Sequence, residues 1–248
     1  MERIKNLIAA EHSNHEIVVF NSHSHWDHWW GNAAFTNAKV IAHSSCQDFI
    51  REQARAMLEA HSEERNGEVK VVIPNITFNE RLSFEDDGIL FLHTPGHSED
   101  SCSCIDLEDR IAYIGDLVEE PIPYLEWHNL PVYEKTLLNI ASMGLKYMIA
   151  GHTGIVAPEV FSRTLRYLTK VKQGKNPHFE NKQTQEQHIV NLRSVAISEI
   201  ESEARYRMGS RFNYDDYWYY LESLNTLPID TLKTRLRDFF TQKLQECH

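Results

Sequence analysis

His23-Ser24-His25-Trp26-Asp27-His28 decides the reading of this chain. Four residues able to ligate a metal stand within six positions, shortly after an apolar run, Ile17-Val18-Val19-Phe20, with the pattern of a buried strand. Polar side chains crowded at a strand end beside a core lose hydration and need a partner. A divalent cation is such a partner, and imidazole with carboxylate suits zinc.

Three further segments repeat the design. Thr94-Pro95-Gly96-His97-Ser98 follows Ile89-Leu90-Phe91-Leu92, Gly115-Asp116 follows Ile111-Ala112-Tyr113-Ile114, and Gly151-His152-Thr153 follows Tyr147-Met148-Ile149-Ala150. Each predicts a short apolar strand that ends at a Gly beside a His or an Asp. The Gly lets the backbone turn sharply and approach an ion closely. Four such strand ends can converge on one edge of an α/β sheet structure and build a site there.

The motif and the three elements after it, in this order, resemble the metallo-β-lactamase-fold hydrolase superfamily, in the branch of glyoxalase II-like thioesterases and lactonases. The likeness runs from about residue 15 to about residue 155. It implies an α/β fold, the metallo-β-lactamase αββα sandwich. It implies His23, His25 and His97 on one metal, Asp27, His28 and His152 on a second, and Asp116 bridging the two. It also implies a dinuclear zinc hydrolase of a small ester, thioester or lactone, with a metal-bridging hydroxide as nucleophile. Asp116 would set the metal separation, and Asp27 would steer the attacking water and accept a proton, so these two are the catalytic candidates. Two Zn2+ per chain are expected, with iron or manganese as alternatives on the same donors. In oxygen-reducing diiron relatives a Glu commonly sits where this chain has His25. Many true β-lactamases carry a Cys where it has Asp116. Both favour zinc hydrolysis of a substrate other than a β-lactam. The alternative enzyme is a mononuclear iron persulfide dioxygenase. The alternative from another class is an inactive, truncated metal-binding remnant.

Only 22 residues precede His23, and the family core has several strands there. The resemblance therefore implies that the N-terminal strands are missing. The aromatic tail, or a second copy in a homodimer, would then cover the exposed sheet.

Composition narrows the partners. With 248 residues and a net charge of −11, the chain should repel nucleic acid phosphates, and it carries no basic stripe. No apolar run approaches the ~20 residues of a membrane span, and the N-terminus has no signal-peptide core. The expected partner is a small-molecule substrate, not nucleic acid or membrane. Cys46, Cys102, Cys104 and Cys247 read as small buried residues of a reducing compartment. Cys102 and Cys104, two apart on a strand, face one side and cannot readily bridge. The expected location is cytoplasmic.

The pattern predicts helices over 2–12, 46–64 (capped by Ser44-Ser45), 131–143 and 158–172, with Pro158 at the start of the last. Strands are expected over 16–21, 39–42, 69–73, 76–78, 88–93 and 146–150, with a hairpin of 101–107 and 110–115. Gln173-Gly174-Lys175-Asn176-Pro177 reads as a boundary between a metal-binding core, 1–175, and a helical C-terminal extension, 176–248. Helices are expected there over 184–207, 214–224 and 229–245, the first with Ile189, Leu192, Val195, Ala196 and Ile200 at helical spacing. Tyr124 and His128, in a Pro- and aromatic-rich loop, are the substrate-contact candidates. Trp26, Trp29 and Trp30 either wall a pocket or pack beneath the metal loop. The aromatic segment 214–220 reads as core or dimer packing, with a substrate lid as the alternative. His12, His15, His43, His61, His93, His178, His188 and His248 read as surface or satisfied core residues.

Overall fold

A computed structural model of the chain describes residues 2–35 and 37–245; Cys247 and His248 lie outside the described residues. The chain forms two compact units. One takes the chain up to Pro95, then Glu99–Asp116 and Met143–Val156; the other takes Gly96–Ser98, Leu117–Ser142 and the chain from Ala157 onward.

The first unit opens with helix α1 (Glu2–Glu11) and strand β1 (Val18–Phe20). A short helix, α2 (Trp26–Trp29), lies inside the metal motif and precedes strand β2 (Lys39–His43) and helix α3 (Ser44–Ala60). Strands β3 (Ile76–Phe78), β4 (Arg81–Phe84), β5 (Ile89–His93), β6 (Cys102–Asp106) and β7 (Ile111–Tyr113) follow. Strands β8 (Tyr147–Ala150) and β9 (Gly154–Ile155) complete it. Three strands make an all-parallel sheet in the order β1-β2-β3, and six make a second in the order β4-β5-β6-β7-β8-β9. In the second sheet only β7 and β8 run parallel.

Ile41 and Phe78 from the three-stranded sheet pack with Phe91 and Cys102 from the six-stranded one, and Phe20, Leu82 and Cys104 join them. Cys102 and Cys104 thus share a face and are both free thiols. Full burial of a residue such as Ile41 or Phe91 contributes about 1.5–3 kcal/mol. The outer face of β2 meets α3 through Ala42, Cys46, Ile50 and Ala54, with Trp29 sealed among them.

This topology delivers the site. Strands β7 and β8 are parallel neighbours with Tyr113 opposite Ile149, so Asp116 and His152, just past their ends, emerge at one edge. The Gly151 N–H donates to the Gly115 carbonyl (2.9 Å) and extends the pairing to the ligand positions. Past β1, the Asn21 N–H donates to Ile41, and Ser22 accepts from the Cys102 N–H at 2.7 Å.

The second unit holds helices α4 (Leu130–Ser142), α5 (Pro158–Lys172), α6 (Lys182–Met208), α7 (Tyr214–Ser223) and α8 (Ile229–Gln245). The expected helical C-terminal extension is present. Asn181 caps α6 and Asn213 caps α7, each accepting from a backbone N–H of the first turn. Tyr214 and Tyr217 are buried with Leu232, Leu236 and Phe240, so most of the aromatic segment is core, while Tyr219 points outward. No helix among the described residues is long and apolar enough to cross a membrane.

Four local readings need correction. Residues 69–73 form no strand: Val69 and Ile73 pack toward α3, and the Val72 carbonyl accepts from Asn32, so the segment is an extended cover. Strands β4 and β9 and helix α2 were not expected. Helix α3 begins at Ser44 and is capped by His43, whose ring accepts from the Ser45 N–H. Ile189 on α6 is exposed, whereas His188 and Asn191 are buried.

Candidate metal centre

Of the seven residues expected to hold metal, His23, His25, Asp27, His28, Asp116 and His152 belong to the first unit; His23, Asp116 and His152 lie just past strand ends, His25 is the N-cap of α2, and Asp27 and His28 lie in it. His23 and Asp116 are buried, and His152 is 54% exposed on its side chain, so the cluster opens toward solvent on that side. The donor atoms are closely spaced. Asp116 Oδ2 stands 3.2 Å from His28 Nε2 and 3.3 Å from His152 Nε2. Asp27 Oδ2 stands 3.4 Å from His28 Nε2 and 3.1 Å from His152 Nε2. His23 Nε2 lies 3.7 Å from Asp116 Oδ2 and 3.0 Å from His25 Nδ1. His23, His28 and Asp116 make one group able to hold a cation, and Asp27, His28 and His152 another.

These spacings test whether a metal fits. Donors on a tetrahedral zinc, with bonds of about 2.0–2.1 Å, stand about 3.3 Å from one another. The separations around Asp27, His28, Asp116 and His152 fall at that value. His28 Nε2 is moreover buried with no hydrogen-bond partner of good geometry. A Cβ on Gly151 would lie 2.4 Å from Asp116 Oδ1 and 3.0 Å from His28 Cε1, so the glycine keeps the carboxylate's place open. Gly115, at φ +54°, turns the chain into Asp116 while its Cα faces the Ser22 side chain. The donor set, its spacing and its supports fit divalent metal.

The electrostatics agree. Burial pulls the His28 imidazole down, but the Asp116 and Asp27 carboxylates beside its Nε2 override it and raise it to about 9. Burial pushes Asp27 up, but His28, its own backbone and His152 bring it down to about 2. The two carboxylates thus create a strong demand for positive charge, which a proton or a metal ion can meet.

Ser22 was missed by sequence reasoning. Its hydroxyl stands 3.1 Å from His23 Nδ1 and 3.2 Å from His28 Nδ1, so it steadies two rings at once and leaves both Nε2 atoms facing the carboxylates. A serine beside a histidine carries no such signal in sequence. Trp29 is buried and donates to the Ser24 carbonyl (3.1 Å), packing beneath the loop; Trp26 is half-buried and stacks on His61.

His97 belongs to the second unit. Its Nδ1 lies 3.1 Å from the Tyr124 carbonyl, and its own carbonyl accepts from the Glu126 N–H (3.0 Å). Burial raises the Glu126 carboxyl, opposed by His97 and by a hydrogen bond to Ser194. Tyr124 is exposed, and His128 Nδ1 lies 3.2 Å from the Ser198 hydroxyl. Sequence reasoning also missed the contacts of α6 to this loop. Their trace is a polar series at helical spacing, Gln187, Asn191, Ser194 and Ser198.

The model of the metallo-beta-lactamase superfamily matches residues 15–152, more than half of the chain. The chain belongs to that superfamily. A metallo-beta-lactamase from Pontibacter korlensis superposes with a TM-score of 0.53 at 17% identity, over 68% of this chain and 76% of that one. An archaeal metallo-beta-lactamase superfamily protein from Sulfolobus tokodaii gives 0.52 at 16% identity, over 72% and 79%. TTHA1623, solved in a di-iron-bound form, gives 0.51 at 19% identity, over 67% and 84%. At these identities the likeness is one of fold. No curated protein matches the chain.

Proposed function

We propose that the chain is a two-metal hydrolase of a small ester, thioester or lactone. His23, His25 and His97 would hold one ion, Asp27, His28 and His152 the other, and Asp116 would serve both. The observation that carries this reading is the ring of donors 3.1–3.4 Å apart formed by Asp27, His28, Asp116 and His152. When bound, the ions supply Lewis acidity toward a carbonyl and lower the pKa of water. Asp116, buried in the space that Gly151 leaves open, would fix the spacing of the donors. Asp27 Oδ2, 3.1 Å from the exposed His152, is placed to orient water and to accept its proton. Ser22 holds the two buried imidazoles in one ring orientation. Tyr124 and His128 are the proposed substrate contacts, and a compartment such as the cytoplasm fits the free thiols.

Zinc is the proposed metal, since the donors are imidazole and carboxylate. Iron is the second reading, favoured by the di-iron form of the structurally similar TTHA1623. The test is a panel of thioesters, lactones, phosphodiesters and persulfides, run on zinc- and iron-loaded protein with hydrolysis and oxygen uptake followed in parallel. Hydrolysis of a thioester, lactone or ester by the zinc form is expected. Oxygen uptake with a persulfide, and no hydrolysis, would replace the proposal with an iron oxygenase.

A further inference from the structure

We propose that helix α6 sets the position of His97, and that Asn191 is its principal positioning residue. The inference rests on the reading of His97 as a metal ligand.

The chain of contacts starts at the ring. A carbonyl only accepts, so the Nδ1 that faces the Tyr124 carbonyl at 3.1 Å carries the proton. Nε2 is then the nitrogen that would face an ion. The ring is therefore as well placed as the Tyr124 carbonyl. That carbonyl is held from both sides by one buried amide. Asn191, fully buried, accepts from the Leu125 N–H (3.1 Å) and donates to the Pro123 carbonyl (2.8 Å). The amide nitrogen also donates to the Tyr167 hydroxyl (2.9 Å), which lies 3.0 Å from His188 Nδ1. Every polar atom of the Asn191 side chain is thus engaged, which gives it a single orientation.

The neighbours of Asn191 on the same helix face repeat the pattern. Gln187 donates to the Ile122 carbonyl (2.8 Å), Ser194 bonds Glu126, and the Ser198 hydroxyl accepts from the His128 N–H (3.2 Å). Positions 187, 191, 194 and 198 advance by four, three and four, which puts them on one stripe of a helix. A polar stripe running along a loop fixes the backbone of that loop at successive points. Packing alone would not need four polar residues in that series.

The test uses the full chain. Asn191→Leu keeps the side-chain volume and removes both bonds to the loop. Zn2+ affinity is read by competition with a chromophoric chelator, and the His97 tautomer is read by 15N NMR of the metal-free protein. The expected result is a loss of about 10–100-fold in affinity for one of two ions, with the other ion unchanged. The metal-free NMR spectrum should change from a single Nδ1–H form of His97 to a mixture. Gln187→Met should shift both readouts in the same direction by less, and serves if Asn191→Leu fails to fold. Leu236→Ala, in the core of the helices, should lower the melting temperature and move neither readout. Wild-type affinity and an unchanged His97 tautomer in both α6 variants would overturn the proposal. Failure of the wild-type chain to bind zinc would sink the ligand reading instead, while the tautomer readout would still decide the positioning role.

Discussion

His28 and His43 lie in the same unit, each beside a second imidazole: the His28 and His23 rings are 4.0 Å apart, the His43 and His93 rings 3.9 Å. Burial pulls both toward the neutral form. Around His28 two carboxylates outweigh burial and raise it to about 9. The shift of His43 has other causes. Burial and then His93 lower it to about 4, against the hydrogen bond of its Nε2 with the Asn79 carbonyl. Its other nitrogen caps α3. One cluster demands positive charge, and the other is already satisfied by backbone. A histidine pair is therefore told apart as ligand or scaffold by whether carboxylates face it.

The most damaging way to break the contrast is to remove the shared carboxylate. Asp116→Ala should lower turnover by on the order of 10²–10³ and strip metal from the protein, while circular dichroism stays that of the folded chain. Wild-type metal content and rate in this variant would show that Asp116 serves neither ion. A gentler break leaves the carboxylate and moves it. In Gly151→Ala the new Cβ would stand 2.4 Å from Asp116 Oδ1, so the carboxylate must shift. Metal affinity, read by titration calorimetry, should fall by about 10–100-fold. Unchanged affinity would mean that the donor spacing is not what holds the ion.

The smallest effect lies in the other cluster. The folded-state value of His43 is below that of an unfolded histidine, so the unfolded chain binds the proton more tightly. The stability contributed by the neutral ring is present above about pH 6.5 and is lost as pH falls toward about 4. His43→Gln should lose about 1 kcal/mol at pH 7 for the weakened cap. It should then lose less than the wild type between pH 6.5 and 4, by urea unfolding. Parallel pH profiles would show that His43 is not held neutral.

Much of the candidate site was legible because His and Asp residues are dense just past the strand ends, beside glycines that let the chain turn there. His23, Asp116 and His152 lie at strand ends as the apolar runs implied. The strand ladder was read less well. Arg81–Phe84 alternates weakly, and Gly154–Ile155 is too short to show any period. Residues 69–73 have the composition of a strand and the role of a cover, since composition does not report pairing. Least legible were the supports. Ser22 acts through a hydroxyl between two rings. Asn191 acts on the backbone of Pro123 and Leu125, and a backbone group leaves no mark in the residue that carries it. The apolar residues of α6 drew attention to Ile189, which is exposed, and away from the polar face.

The central claim is the proposal that this chain carries a centre for two metal ions. Elemental analysis of the full chain, purified without chelator and again after dialysis against zinc, tests it most directly. The account predicts close to two metal ions per chain, falling in Asp116→Ala and unchanged in His43→Gln. No more than trace metal in the wild-type protein after zinc dialysis would contradict it.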